Sequence, residues 1–215
     1  MADRLKSFGD KNLKIIIIPN ALSFEEMNHR PTSVNNNQKK VLLFFSRYYA
    51  HKNLEIIVEL SKKILDRKLQ YEIWTTIGDN DDYRGIKLLK QIKKEGLDTI
   101  VKNIGLVQYE SIPQLFEKID ALLMPTLLES YSRTYIEAMY YRKPILTSNL
   151  DFAVETCGNG ATYFDPSDAN DILAKIQDVF KDPYLEEKVN LNKQKIMTML
   201  DWNQLSEKLT LALLG

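Results

Sequence analysis

Cysteine and histidine are nearly absent: Cys157, His29 and His51 are the only residues of these types among 215. A single cysteine excludes a disulfide within the chain and a cysteine-rich metal centre, and it suits a reducing compartment. Two histidines are too few for a histidine-built zinc site, so no metal site is expected. An excess of either charge is also missing, since Lys and Arg number 29, and so do Asp and Glu. No global basic field draws such a chain to nucleic acid or to anionic lipid, and any anion site must be local. No apolar run approaches the length of a membrane span. The stretch from Met1 to Lys14 is charged and lacks the apolar region of a signal peptide. Together these absences point to the cytoplasm.

What is present is enough apolar material for one domain with a substantial core, 44% of the residues. Lys14 to Ile18 reads as a strand closed by Pro19-Asn20, and the polar stretch 21–40 as a linker. A compact domain is expected over 41–215. Within it strands and helices alternate. Strands are expected at Val41–Phe45, Tyr71–Ile77, Ile100–Ile104, Ala121–Met124, Pro144–Thr147 and Ala161–Phe164. Helices are expected around Leu54, Ile57, Val58 and Leu65, around Ile86, Leu89 and Ile92, and after Ser111-Ile112-Pro113. Others follow Asp168 and run over Tyr184–Leu200 and Trp202–Leu213. Several strands are apolar throughout, which is the pattern of an α/β domain whose mostly parallel sheet is covered on both faces. Ligands of such sheets bind beyond the carboxyl ends of the strands, at a switch point.

Two strand-to-helix loops carry the candidate chemistry. The first is Glu129-Ser-Tyr-Ser-Arg-Thr-Tyr-Ile-Glu137, between the strand at Ala121 and an amphipathic run. Ser132 is placed to cap a helix, whose free N–H groups attract an anion, and Glu129 and Glu137 are carboxylates that accept bonds from sugar hydroxyls. The structural alternative is that Thr134-x-x-Glu137 closes a capping box and that Glu129 is solvated. The second loop, Ser46 to Asn53, holds Arg47 and Lys52, a guanidinium and an ammonium suited to clamping a diphosphate. Its structural alternative is an exposed basic loop. Cys157, His51, Trp74 and Tyr140-Tyr141 read as packing or loop residues.

In order along the chain these pieces resemble the retaining glycosyltransferases of family four, and within them the C-terminal, donor-binding half of the two-domain GT-B fold. The resemblance is carried by Ile18-Pro19-Asn20, by Ser46-Arg47 through Lys52-Asn53, and by Asp120 to Pro125. It continues through Glu129 to Met139, Lys143-Pro144-Ile145, Glu155 and Asp165-Pro166. It implies a Rossmann-like doubly wound sheet, residues 1–40 as an interdomain remnant, and 41–215 as the nucleotide-sugar-binding domain. It implies Arg47 and Lys52 on the donor diphosphate and Glu129 near the donor sugar, these three being the catalytic candidates. Glu137 falls on the ribose, the loop Ser130, Tyr131, Ser132 and Arg133 on sugar or phosphate, and Ser46, Gly78, Asn103 and Ile104 with the remaining donor contacts. The donor implied is a UDP- or GDP-sugar, with no further cofactor or metal. The acceptor implied is a glycan or lipid-linked sugar, held by an N-terminal domain that this chain is expected to lack and that would carry any attachment to the inner face of a membrane. Serines stand where the family has glycine, at Ser46, Ser130 and Ser132, and Ala21 replaces another. A non-catalytic nucleotide-sugar or protein-binding domain, a GT-B epimerase and an unrelated flavodoxin-like module remain as alternatives.

Overall fold

The computed structural model describes residues 39–214. The expected strand at Lys14–Ile18 and the linker up to residue 38 lie outside them. The described residues fall into two compact units, one reaching to Ile196 and one beginning at Met197.

The first unit is built on six strands: β1 (Lys40–Phe44), β2 (Tyr71–Thr75), β3 (Val101–Asn103), β4 (Ala121–Met124), β5 (Ile145–Ser148) and β6 (Ala161–Phe164). Every pairing is parallel, and the order is β3-β2-β1-β4-β5-β6. β1 and β4 pair in the centre, Leu42 opposite Ala121 and Leu43 opposite Leu122. Their residues from Val41 to Phe44 and Ala121 to Met124 are fully buried, as central strands covered on both faces require. The chain runs outward from β1 in one direction and from β4 in the other, so the switch point lies between these two strands.

Eight helices accompany the strands among the described residues. They are α1 (Ile56–Asp66), α2 (Tyr83–Lys94), α3 (Ile112–Lys118), α4 (Arg133–Tyr140), α5 (Asp151–Cys157), α6 (Ala169–Val179), α7 (Leu185–Met197) and α8 (Trp202–Leu214). On one face of the sheet Leu42, Ile73, Leu123 and Leu146 pack with Leu60 and Ile64 of α1 and with Ile172, Leu173 and Ile176 of α6. Phe44 and Ile77 continue that face beneath Leu88 and Ile92 of α2. Residues of opposite parity point to the other face, where Phe45 meets Phe116 of α3 edge-on and Phe116 stacks on Tyr141 at 4.9 Å.

Local rules explain most of the boundaries. Asp168 caps α6 by accepting the Asn170 N–H at 2.7 Å, and proline opens α3. Leu65, expected on the buried face of α1, is exposed. A stripe drawn from Ile57 runs through Leu60, Ser61 and Ile64 and leaves Leu65 one step off it. On α2 the buried stripe is Gly85, Leu88 and Ile92, not Ile86 and Leu89. Gly85 is required there, because a Cβ would come within 2.8 Å of Tyr48 Cβ. The short helix α5 has no counterpart among the expected elements. In the second unit Asp201 and Gln204 form a capping box at the start of α8, side chain to backbone in both directions at 2.8 and 3.1 Å.

Candidate functional site

The loops after β1 and β4 meet over the switch point and are bonded to each other. The Leu127 N–H and the Thr126 hydroxyl both donate to the His51 carbonyl, at 2.7 and 3.1 Å. Asn53 sits in the left-handed region at φ 58°, a conformation that asparagine tolerates better than most residues. Its Nδ2 donates to the Pro125 carbonyl at 3.1 Å and to the Pro166 carbonyl at 2.8 Å. One side chain therefore ties together the loops that follow β1, β4 and β6.

Lys52 and Glu129 form an ion pair across this junction, with side chains only 14% and 11% exposed. This corrects both structural alternatives for these residues. Glu129 is not a solvated loop carboxylate, and Lys52, at the end of a short 3-10 turn, Ala50–Lys52, is not an exposed loop cation. Two opposite charges with little solvent around them attract more strongly than a surface pair, and each needs the other. An incoming anion would find the ammonium already positioned.

Arg47 turns to a different partner. Its Nε donates to Asp81 Oδ1 at 2.8 Å, in the loop after β2. The two cations expected to act as one clamp thus engage separate carboxylates.

Ser132 stands at the N-cap position of α4, as expected, but its side chain makes no capping bond. The helix begins at Arg133, so Glu137 lies in its second turn and no box with Thr134 forms. The Thr134 hydroxyl donates instead to the Phe45 carbonyl at 3.5 Å. Glu137 is 5% exposed. Burial pushes its carboxyl up to about 7, and Arg133 only partly opposes this, its Nε lying 3.4 Å from Oε1 on a half-exposed side chain. Arg133 also donates to the Tyr109 hydroxyl at 2.8 Å and lies over that ring at 4.9 Å. Buried and beyond the first turn, this carboxyl does not serve as a helix cap.

The remaining candidates divide. Ser46 is fixed by Thr76, whose hydroxyl accepts from the Ser46 N–H and donates to its carbonyl, both at 3.0 Å. Gly78 packs so closely on Leu106 that a Cβ would come within 2.7 Å of its side chain. The Asn103 amide is committed to the backbone of Ile77, donating to its carbonyl and accepting its N–H at 3.0 Å each, while Oδ1 also accepts from Thr75 at 3.1 Å. Ile104 extends β3 by donating its N–H to the Thr75 carbonyl at 2.8 Å. Ser130 is exposed, whereas the Tyr131 hydroxyl is buried.

Sequence reasoning missed the floor beneath the β4 loop. Tyr135, fully buried, shares a 2.5 Å bond with Thr147, which donates to the Met124 carbonyl at 3.2 Å, while Ser148 donates to the Thr126 carbonyl at 2.7 Å. Thr147-Ser148 ends an apolar strand, and those two hydroxyls were the available signal. Asp81 was missed as well, since a run of acidic turn residues gives no sign of a contact 34 positions away.

A parallel sheet in this order, with paired acidic and basic loops over its switch point, defines a Rossmann-like domain of the kind that makes up half of a GT-B glycosyltransferase. The chain belongs to the family of glycosyl transferases group 1, whose model matches residues 25–196. A glycosyltransferase of Methanocaldococcus jannaschii is 24% identical over 192 residues, which is 87% of this chain and 48% of that protein. Sucrose-phosphate synthase from Thermosynechococcus elongatus superposes with a TM-score of 0.78 at 16% identity, over 98% of this chain and 55% of its own. An Anabaena protein solved in complex with UDP and glucose superposes with a TM-score of 0.70 at 20% identity, over 83% of this chain and 49% of its own. The chain thus spans about half the length of the relatives it matches. Among the described residues no helix is long and apolar enough to cross a membrane.

Proposed function

We propose that this chain binds the nucleoside diphosphate of a sugar nucleotide at the β1–β4 switch point and serves the transfer of that sugar to an acceptor. The observation that carries the reading is the Lys52–Glu129 pair, a desolvated cation beside a carboxylate at the carboxyl ends of the two central strands. Arg47 adds a second cation from the same loop and Glu137 a buried carboxyl from α4. Family membership and a fold neighbour that holds UDP and glucose support it.

In this reading Arg47 and Lys52 take the two phosphates, Glu129 lies beside the donor sugar, and Glu137 accepts from the ribose hydroxyls. Backbone amides of 130–133 lie at the start of α4, where the dipole favours negative charge. The bond from the anomeric carbon to the diphosphate oxygen breaks with both electrons going to the diphosphate. The two cations stabilise the charge that develops there, so the reading calls for no metal. The acceptor oxygen bonds to the same face of the sugar, its proton passes to the departing phosphate oxygen, and configuration is retained. The acceptor fitting this chemistry is a glycan or lipid-linked sugar, held by a second domain across the crevice.

Calorimetric titration of UDP and GDP tests the reading. A charge-assisted bond contributes roughly 1.5–3 kcal/mol, so Arg47→Ala is expected to weaken binding about tenfold or more. Equal affinity for wild type and Arg47→Ala would contradict it.

A further inference from the structure

Asp81 lies in the turn after β2, outside both loops that carry the candidate motifs. Its carboxylate is 2% exposed and accepts three bonds. Oδ1 takes Arg47 Nε at 2.8 Å, while Oδ2 takes the Tyr48 N–H at 3.0 Å and the Gly78 N–H at 3.1 Å. The Asp81 N–H donates back to the Gly78 carbonyl at 3.1 Å and closes the turn. Three donors, two of them amides, hold this carboxyl below the usual carboxylate range despite its burial.

The division between the two oxygens is informative. Oδ2 staples the loop after β1 to the loop after β2. Oδ1 does nothing for the backbone and engages only the guanidinium. Arg47 is bound through Nε alone, and among the described residues nothing engages its two Nη groups. Those groups form the edge of the guanidinium that bonds phosphate oxygens in pairs. A carboxylate so close lowers the net charge an anion feels, so charge does not account for its presence. Orientation does, because a long side chain fixed before the ligand arrives loses less rotamer freedom on binding.

We propose that Asp81 is a positioning residue of the donor site: it holds Arg47 by Nε so that the Nη edge is presented to the diphosphate. This rests on the reading that Arg47 binds the diphosphate.

Asp81→Asn separates the two roles. With its carbonyl oxygen in the Oδ2 position, asparagine keeps both amide bonds, and its NH2 group meets Nε donor to donor. The experiment is a calorimetric cycle with UDP and GDP on wild type, Arg47→Ala, Asp81→Asn and the double variant, with melting temperatures measured alongside. Asp81→Asn is expected to weaken the nucleotide that binds by about threefold to tenfold, the effect of ordering one long side chain on binding. It is expected to lower the melting temperature by only a few degrees, the cost of one lost buried partner, and to have no further effect on affinity once Arg47 is alanine. Tighter binding by Asp81→Asn would mean that its charge dominates, and an equal loss with and without Arg47 would mean that it only staples loops; either overturns the proposal. If neither nucleotide binds, or if Arg47→Ala leaves affinity unchanged, the reading of the site fails and the proposal falls with it. The Arg47 Nε–H resonance provides a measurement on the wild-type chain, independent of how the variant folds. It is expected to exchange slowly with solvent and to stay protected when UDP or GDP is added. Loss of that protection on binding would show that ligand and Asp81 compete for Arg47, and would overturn the proposal.

Discussion

At the scale of single residues, Glu137 shows how burial changes what a carboxylate can do. In the unfolded chain it titrates as an ordinary glutamate, and in the fold its pKa lies at about 7. Between these values the folded state holds a proton that the unfolded state has released. The stability associated with this group therefore declines as pH rises through the window and levels off above it. A shift of this size corresponds to roughly 3 kcal/mol. Glu137→Gln is expected to remove most of that slope, so urea unfolding at about pH 5 and about pH 8 should differ less in the variant than in wild type. An unchanged slope would show that Glu137 is ionised and satisfied in the fold. In the same variant nucleotide affinity measured at about pH 8, where Glu137 is ionised, is expected to fall, because an amide accepts from ribose hydroxyls less strongly than a carboxylate. Cys157 gives the opposite case: burial pushes its thiol up to about 12. It is an inert packing residue at the end of α5, as its isolation in the sequence indicates.

Elements were legible where one physical signal dominated. β4 and β6 fall on the expected residues, the first as an unbroken apolar run and the second between a glycine turn and Asp165-Pro166. The cap at Asp168 and the proline start of α3 follow from backbone rules alone. Helix α5 was not legible, because its buried residues are only Ala153 and Cys157 and Val154 points outward, so seven residues show no stripe. The candidate loops were legible as places but not as partnerships. Arg47 and Lys52 share a loop, yet one pairs with Asp81 and the other with Glu129, and nothing local encodes that choice. The loop junction itself gives an element-scale prediction. Asn53→Ala removes two hydrogen bonds and places alanine at positive φ, which together should cost about 2–4 kcal/mol. The expected result is a lower urea midpoint with the sheet retained. A midpoint within error of wild type would show that Asn53 contributes nothing to holding the three loops together. Thr147→Val leaves the Tyr135 hydroxyl buried with its partner gone, and it should cost about 1–3 kcal/mol with little change in the apolar core.

On the scale of the whole molecule, strand order decides where chemistry can occur. Two central strands with reversed directions of winding open one crevice at their carboxyl ends, and the loops beside it carry Arg47, Lys52 and Glu129, with Glu137 in the second turn of the following helix. A ligand that binds there and not to the unfolded chain raises stability by mass action. At about a hundred times its dissociation constant the gain is about 2.7 kcal/mol, which for a chain of this size raises the melting temperature by about 5–10 °C. Raising the salt concentration is expected to reduce the shift, since the proposed contacts to phosphate are ionic. A shift independent of salt would indicate an apolar mode of binding.

In the proposed function the crevice between the β1 and β4 loops is the nucleotide site. Amide chemical-shift mapping of the labelled chain during titration with UDP and then GDP tests it directly. One of the two nucleotides is expected to move the amides of 46–53 and 126–137 most, while the amides around Thr162, Lys175 and Lys188, at the far edge of the sheet, stay in place. Shifts centred on that edge, or none with either nucleotide at millimolar concentration, would contradict it.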